Sequence, residues 1–252
     1  MAKPPEREII PVVQKLRLRY TKRGPLKFSS HRDFQRAFER AVRKVGVPMA
    51  YSAGFSPHPK ISYANAAATG TASEAEYVEI SLVNRVNPDE LVAALATAMP
   101  EGLAIAEAVE VRTSDFSERL EAGLWRVEVA GWDLAAAEGA CAAFLAAQEV
   151  AVTRQTKNGP RTFDCRSAVL DLEVEGVNTG SSGVVYAILR LLVRQMTPSV
   201  RPDDVLNGIC QVAALTLPAA PRVTRLAQGP LTADGRSVAD PLTADRAGAQ
   251  EG

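Results

Sequence analysis

Two stretches of this chain begin helices in the same way, and no other feature narrows its fold as much. VNPDELVAAL, from Val86, and VRPDDVLNGI, from Val200, each put Pro at the first helical position and two acids in the first turn. Free N–H groups and the helix dipole favour both choices. Asn87 caps the first helix, and Leu91, Val92 and Leu95 supply its buried stripe. Similar series of elements surround the two helices. Residues 15–20 alternate apolar and basic side chains as a half-buried strand does, a helix spans 31–45, and short extended segments fall at 48–51 and 61–66. Residues 77–82 alternate again, and a strand at about 104–111 closes the first set. In the second half the pattern predicts strands at 125–129, 150–154, 168–174 and 184–193, and helices at 134–147 and 202–212. The apolar run 184–193 is also readable as helix. The order βαββαβ is the ferredoxin-like pattern. The fold class is therefore read as α+β, two ferredoxin-like halves (14–112 and 123–227) from an internal duplication. From 228 to 252 periodicity is lost, and a disordered tail is expected.

Charge is unevenly distributed along this frame. The whole chain is neutral, with 29 Lys and Arg against 29 Asp and Glu. Residues 1–60 nevertheless hold 14 basic residues and 4 acids, whereas residues 61–150 hold 4 basic residues and 15 acids. The basic segment includes a strongly signalled helix. Ser30 is placed to cap it and Asp33 to complete a capping box, while Gly46 is a natural stop. Phe34, Ala37, Phe38, Ala41, Val42 and Val45 share its apolar face, and Arg32, Arg36, Arg40 and Arg43 line the opposite one. A solvated face is the plain reading of such a stripe. The concentrated charge favours a polyanion instead.

The loop YSAGFSPHPK, 51–60, follows. Gly54 gives it freedom, while Pro57 and Pro59 fix φ and bias Ser56 and His58 towards extended backbone. It presents Tyr51, Phe55, His58 and Lys60 to a ligand, or else Phe55 plugs the core and His58 caps a carbonyl. An RNA surface built from Arg17, Arg19, Lys27, the four helix arginines, these loop residues and Arg166 would combine phosphate contacts with stacking.

The runs KFSSHRDFQRAFERA, PMAYSAGFSPHPKISYANAAATG and SEAEYVEISL resemble the radical SAM-linked protein family, densely over 16–82 and more weakly around 157–175. His31 and Asp33 match its Ser-His-x-Asp. Residues 54–60 match its Gly-Phe-Asn-Pro-His-Pro-Lys with Ser56 in place of Asn, and Asp164 and Arg166 match its later Asp-x-Arg. Arg32 departs from the apolar residue of many members, which leaves open whether the stripe is a family feature. The resemblance implies a partner, a radical SAM enzyme with a cobalamin-binding domain. S-adenosylmethionine, an iron–sulfur cluster and cobalamin would then belong to that partner. The expected function is an RNA-binding accessory that presents a tRNA or rRNA to it.

Other roles remain open from the residues. His31, Asp33 and His58, with Asp164, are the candidates for acid–base catalysis, against structural or ligand-contact roles. A purely structural subunit is the third reading. Cys141, Cys165 and Cys210 are scattered without metal spacing, so neither a metal site nor any cofactor is expected in this chain. No apolar run reaches transmembrane length, so no membrane association is expected, and a cytoplasmic location follows as the default.

Overall fold

The computed structural model describes residues 10–247 except 54, 158 and 182. Those residues form an α+β protein with ten strands and five α-helices. They divide into two compact units, one containing 10–117 with 242–247, the other 118–241.

The first unit runs β1 (Gln14–Lys22), α1 (His31–Lys44), β2 (Ile61–Ala64), β3 (Ala72–Leu82), α2 (Pro88–Ala96) and β4 (Leu103–Glu110). Its strands lie in the order β4-β1-β3, with β2 on the other edge of β3, and every one of these pairings is antiparallel. Leu16 faces Ile80 and Leu18 faces Val78 in register, so one sheet face is apolar and takes both helices. Phe34 of α1 stacks on Tyr20 at 3.9 Å and is followed by Phe38, fully buried. Each such ring contributes about 1.5–3 kcal/mol by leaving water.

The second unit runs β5 (Ala122–Ala130), α3 (Leu134–Ala146), β6 (Ala151–Thr156), β7 (Gly159–Asp164), β8 (Val169–Thr179), β9 (Val185–Arg194), α4 (Pro202–Ala213) and β10 (Arg222–Gly229). Its sheet order is β10-β5-β9-β8, again antiparallel throughout. Counted along their own sheets, both units have the order 4-1-3-2. Helix α4 packs close to its neighbours at Gly208, where an added Cβ would lie 2.8 Å from the Cys165 sulfur and 3.0 Å from Val150.

Three expectations need correction. The strand expected at 150–154 does not join the sheet; it is β6, which pairs only with β7, a strand hidden in the sequence by its exposed Arg161 and Thr162 and its Gly-Pro start. Of the sheet strands that follow, β8 runs on to Thr179, well past the expected end at 174, whereas 185–194 is the strand expected at 184–193 and not its helical alternative. The disordered tail beginning at 228 is overturned for its described part. Residues 222–229 form β10, Leu231 bridges Val238, and α5 (Thr243–Ala247) packs in the first unit with Leu242 and Asp245 buried. The last five residues of that expected tail, 248–252, lie outside the described residues. Polar composition concealed this because the buried anchors include a single large apolar side chain, Leu242, beside Gln228, Gly229, Pro241 and Asp245.

Candidate nucleic-acid interface

Helix α1 forms where its signals indicate. The Ser30 hydroxyl accepts from Asp33 N–H at 3.2 Å, and the Asp33 carboxylate accepts from Ser30 N–H at 3.0 Å and from the Ser30 hydroxyl at 2.7 Å. These bonds, first the hydroxyl and then the backbone, hold the Asp33 carboxyl below the ordinary aspartate value. Phe34, Ala37, Phe38, Ala41 and Val42 are buried, which turns Arg32, Arg36, Arg40 and Arg43 out to solvent together with Lys44. Among the described residues none of these five cations is in an ion pair within 4.0 Å. Their arrangement works partly against the helix. Arg32 lies in the first turn at the positive end of the dipole, and the i,i+4 pairs Arg32–Arg36 and Arg36–Arg40 repel by about 0.2–0.5 kcal/mol each, whereas Arg43 and Lys44 in the last turn suit the dipole. Glu39, four residues before Arg43, offsets part of this.

The loop is an excursion from the edge of β3. Residues 48–50 run along that edge, with Ala50 N–H donating to Ser81 O at 2.8 Å, and the same edge continues at Lys60, whose carbonyl accepts from Ser81 N–H at 3.1 Å. Between them the chain leaves the sheet and returns. Lys60 N–H donates to Ala50 O and Ser52 N–H to His58 O, both at 2.8 Å, while the Ser52 hydroxyl accepts from His58 N–H at 3.0 Å. The loop is therefore pinned at its neck. Phe55, beyond the neck, is 91 % exposed, and at the neck Tyr51 is 50 % exposed, with His58 and Lys60 also exposed. Phe55 plugs no core, and His58 is no core histidine. Gly54, to which the turn was ascribed, lies outside the described residues.

Tyr63 of β2 ties this loop's exit strand to α1. Its ring meets His31 edge-on at 4.8 Å and Phe34 at 5.9 Å. The Gln35 amide nitrogen lies within hydrogen-bond distance of His31 Nε2, at 3.1 Å. The Tyr63 hydroxyl is buried without a hydrogen-bond partner among the described residues, and burial, then nearby Glu39, pushes its pKa up.

Other predicted site residues are committed elsewhere. Arg17 is buried, donating to Asp245 at 2.6 Å, to Glu79 at 3.1 Å and to Thr113 O at 2.7 Å, so it leaves the exposed basic surface. Alternation placed it on an outer face, but α5 and the 111–117 segment cover that part of the face. Arg19 is half-buried beside Glu107 at 3.6 Å. Lys27 lies over the Phe28 ring at 5.1 Å, and Phe28 itself is exposed, an aromatic that sequence reasoning passed over because a Pro-started turn gives no periodicity. In the second unit, Arg166 donates to Leu145 O and Val169 O. Asp164 accepts from the backbone N–H groups of Val150, Arg166 and Ser167. Burial tends to raise the Asp164 pKa, and those bonds bring it below the ordinary value. Both residues thus hold a turn.

Among the described residues no three His, Cys, Asp or Glu side chains gather to hold a metal ion, and no helix is long and apolar enough to cross a membrane. Burial pushes the Cys141 thiol up to about 11 and, helped by Asp164 and Asp204, the Cys165 thiol up to about 12. Neither is a nucleophile at neutral pH.

No curated protein matches the chain. Among solved structures, the encapsulated DyP-type peroxidase from Mycobacterium smegmatis is similar over 89% of this chain and 94% of that one, at 8% identity and a TM-score of 0.21, an agreement that carries no argument. The family described as an uncharacterized protein conserved in bacteria (DUF2344) matches residues 15–202, from β1 to the start of α4, and the chain belongs to that family.

Proposed function

We propose that this protein is an RNA-binding accessory that presents an RNA substrate to a radical SAM partner enzyme of the cobalamin-binding type, on a frame of two duplicated ferredoxin-like halves. The shared 4-1-3-2 strand order supports the duplication. The observation that carries the RNA reading is the row Arg32, Arg36, Arg40 and Arg43: exposed, without an ion pair among the described residues, and mutually repelling at i,i+4 spacing. A polyanion relieves that repulsion. The pinned loop with Phe55 and Tyr51 exposed adds stacking surface, each base–aromatic stack being worth about 1–3 kcal/mol. The partner rests on the resemblance of residues 16–82 alone.

An RNA-modifying or RNA-cleaving enzyme is the less favoured reading. Asp33 serves its helix cap and Asp164 its turn, which leaves His31 and His58 without an unengaged carboxylate from the proposed set. The test is direct. Purified protein is titrated with fluorescent single-stranded and structured RNA, the RNA is then checked for chemical change, and the protein is pulled down from its own cells. Binding without change, with a radical SAM enzyme recovered, is the expected result. Altered RNA favours the enzyme, and failure to bind RNA at any salt concentration overturns the proposal.

A further inference from the structure

The same topological position carries a projecting hairpin in both units. In the first, the connection from α1 to β2 throws out the 51–59 loop; in the second, the connection from α3 to β8 throws out β6 and β7, which pair only with each other. We propose that the β6–β7 hairpin is a second RNA-contact element, gripping phosphates through Lys157 and Arg161. This deepens the RNA-binding reading and rests on it.

The hairpin carries an electrostatic conflict. Arg154 and Arg161 stand directly opposite each other in register, an arrangement of like charges that destabilises a ribbon. The fold resolves only half of it. Arg154 donates to Asp204 at 2.7 Å and to Ser199 O at 3.1 Å, and lies over the Phe163 ring at 5.0 Å. Arg161 is exposed with no such partner among the described residues, and Lys157 at the turn is exposed as well. The hairpin's own acid, Asp164, is spent on three backbone N–H groups at the base. What is left exposed is a positive tip, while Thr153 and Thr162, whose hydroxyls bond each other at 2.8 Å, stand on the other face of the ribbon from Arg161. The base of the ribbon is held by its unit, with Val152 buried and Phe163 packed against the core, so what remains unanswered is the positive tip, which an anion would meet. RNA fits the charge, since exposed Lys and Arg side chains are the usual partners of its phosphates.

The experiment compares three full-length proteins, the wild type, Lys157→Ala/Arg161→Ala and Arg36→Ala/Arg40→Ala, by fluorescence anisotropy with a labelled 30-nucleotide single strand across a salt series. Each lost phosphate contact lowers the slope of log affinity against log salt by about 0.7 on a single strand, so the hairpin variant loses about 1.4 in slope and about tenfold in affinity near physiological salt. Its melting temperature should equal or exceed that of the wild type, since one of two facing cations is gone. Unchanged affinity and slope in the hairpin variant, with both reduced in the α1 variant, overturn the second contact and leave the first standing. Absence of RNA binding by the wild type overturns both.

Discussion

Asp245 offers the sharpest test of how this molecule closes. Its side chain is fully buried, with one oxygen 2.6 Å from Arg17 and the other accepting from Arg112 N–H, Thr113 N–H and the Thr113 hydroxyl at 3.0, 3.0 and 2.7 Å. Burial alone would raise its pKa. The Thr113 hydroxyl, the Arg112 N–H and Arg17, by hydrogen bond and by charge, more than offset that and bring the carboxyl from 3.8 down to about 2. An acid held that low in the folded state contributes about 2 kcal/mol at neutral pH. Because the folded value is depressed, that contribution is complete above about pH 4 and is lost as pH falls to about 2. Asp245→Asn keeps the shape and removes the charge. Arg17 keeps Glu79, so the penalty should stay near 2 kcal/mol rather than reach the roughly 3–5 kcal/mol of a buried ion left alone. It is also capped, because α5 can detach and let Arg17 rehydrate. The variant should melt about 4–8 °C lower at pH 7, and its deficit should shrink between pH 4 and pH 2. Limited proteolysis should cut it faster near 242–247. A variant that matches the wild type in melting at pH 7, or a deficit that does not change with acid, would refute the account of this contact.

Other consequences are simpler to check. Arg36→Ala/Arg40→Ala should reduce RNA affinity and its salt dependence while melting at or above the wild-type temperature, since mutual repulsion on α1 is relieved. Phe55→Ala should weaken RNA binding by about 1–3 kcal/mol with no change in thermal unfolding, because the ring is almost fully exposed. His58→Ala should weaken binding by about 1–2 kcal/mol, and normal binding with a lowered melting point would show the loop to be structural. Gly208→Ala should destabilise the second unit by about 1–3 kcal/mol, seen in chemical denaturation, since the new methyl meets Cys165, Val150 and Phe144.

Much of the architecture is legible because periodic patterns report burial on a single sheet or helix face. The capping box of Ser30 and Asp33, the buried stripe of α1 and the Pro-started helices α2 and α4 are local events, decided by residues three or four apart, and the structure has them where the spacing places them. What escaped detection depends on distant partners. Arg17 looks like a surface arginine until Asp245, 228 residues away, arrives beside it. Strand β7 has no buried face of its own, so its pattern carries no period. The loop was recognisable from its prolines and aromatics. Its neck, held by Ala50, Lys60 and Ser81, is a tertiary arrangement that no local pattern announces.

The second unit serves as an internal control for the basic face of the first. Helix α3 occupies in its unit the place that α1 holds in the other, between the first and second strands of a 4-1-3-2 sheet. It buries Ala137, Ala140, Cys141 and Phe144 and meets all the demands of packing with a single charged side chain, Glu138. Nothing in this architecture therefore requires arginine on the outer face of that helix. In α3 the exposed residues are Leu134, Ala135, Glu138, Gly139, Ala142 and Ala146, with no cation among them. In α1 the outer row is Arg32, Arg36, Arg40 and Arg43, whose like-charge i,i+4 pairs repel and whose first member sits in the first turn, although Arg43 in the last turn suits the dipole. The same scaffold position solved two ways separates what folding requires from what it does not, and the basic row of α1 falls on the second side. Grafting tests the distinction. Replacing the four arginines by alanine, the α3 solution, should preserve or raise the melting temperature and abolish the salt-dependent part of RNA binding. Loss of the fold instead would mean that those side chains serve the helix, and the argument for an RNA surface on α1 would fail.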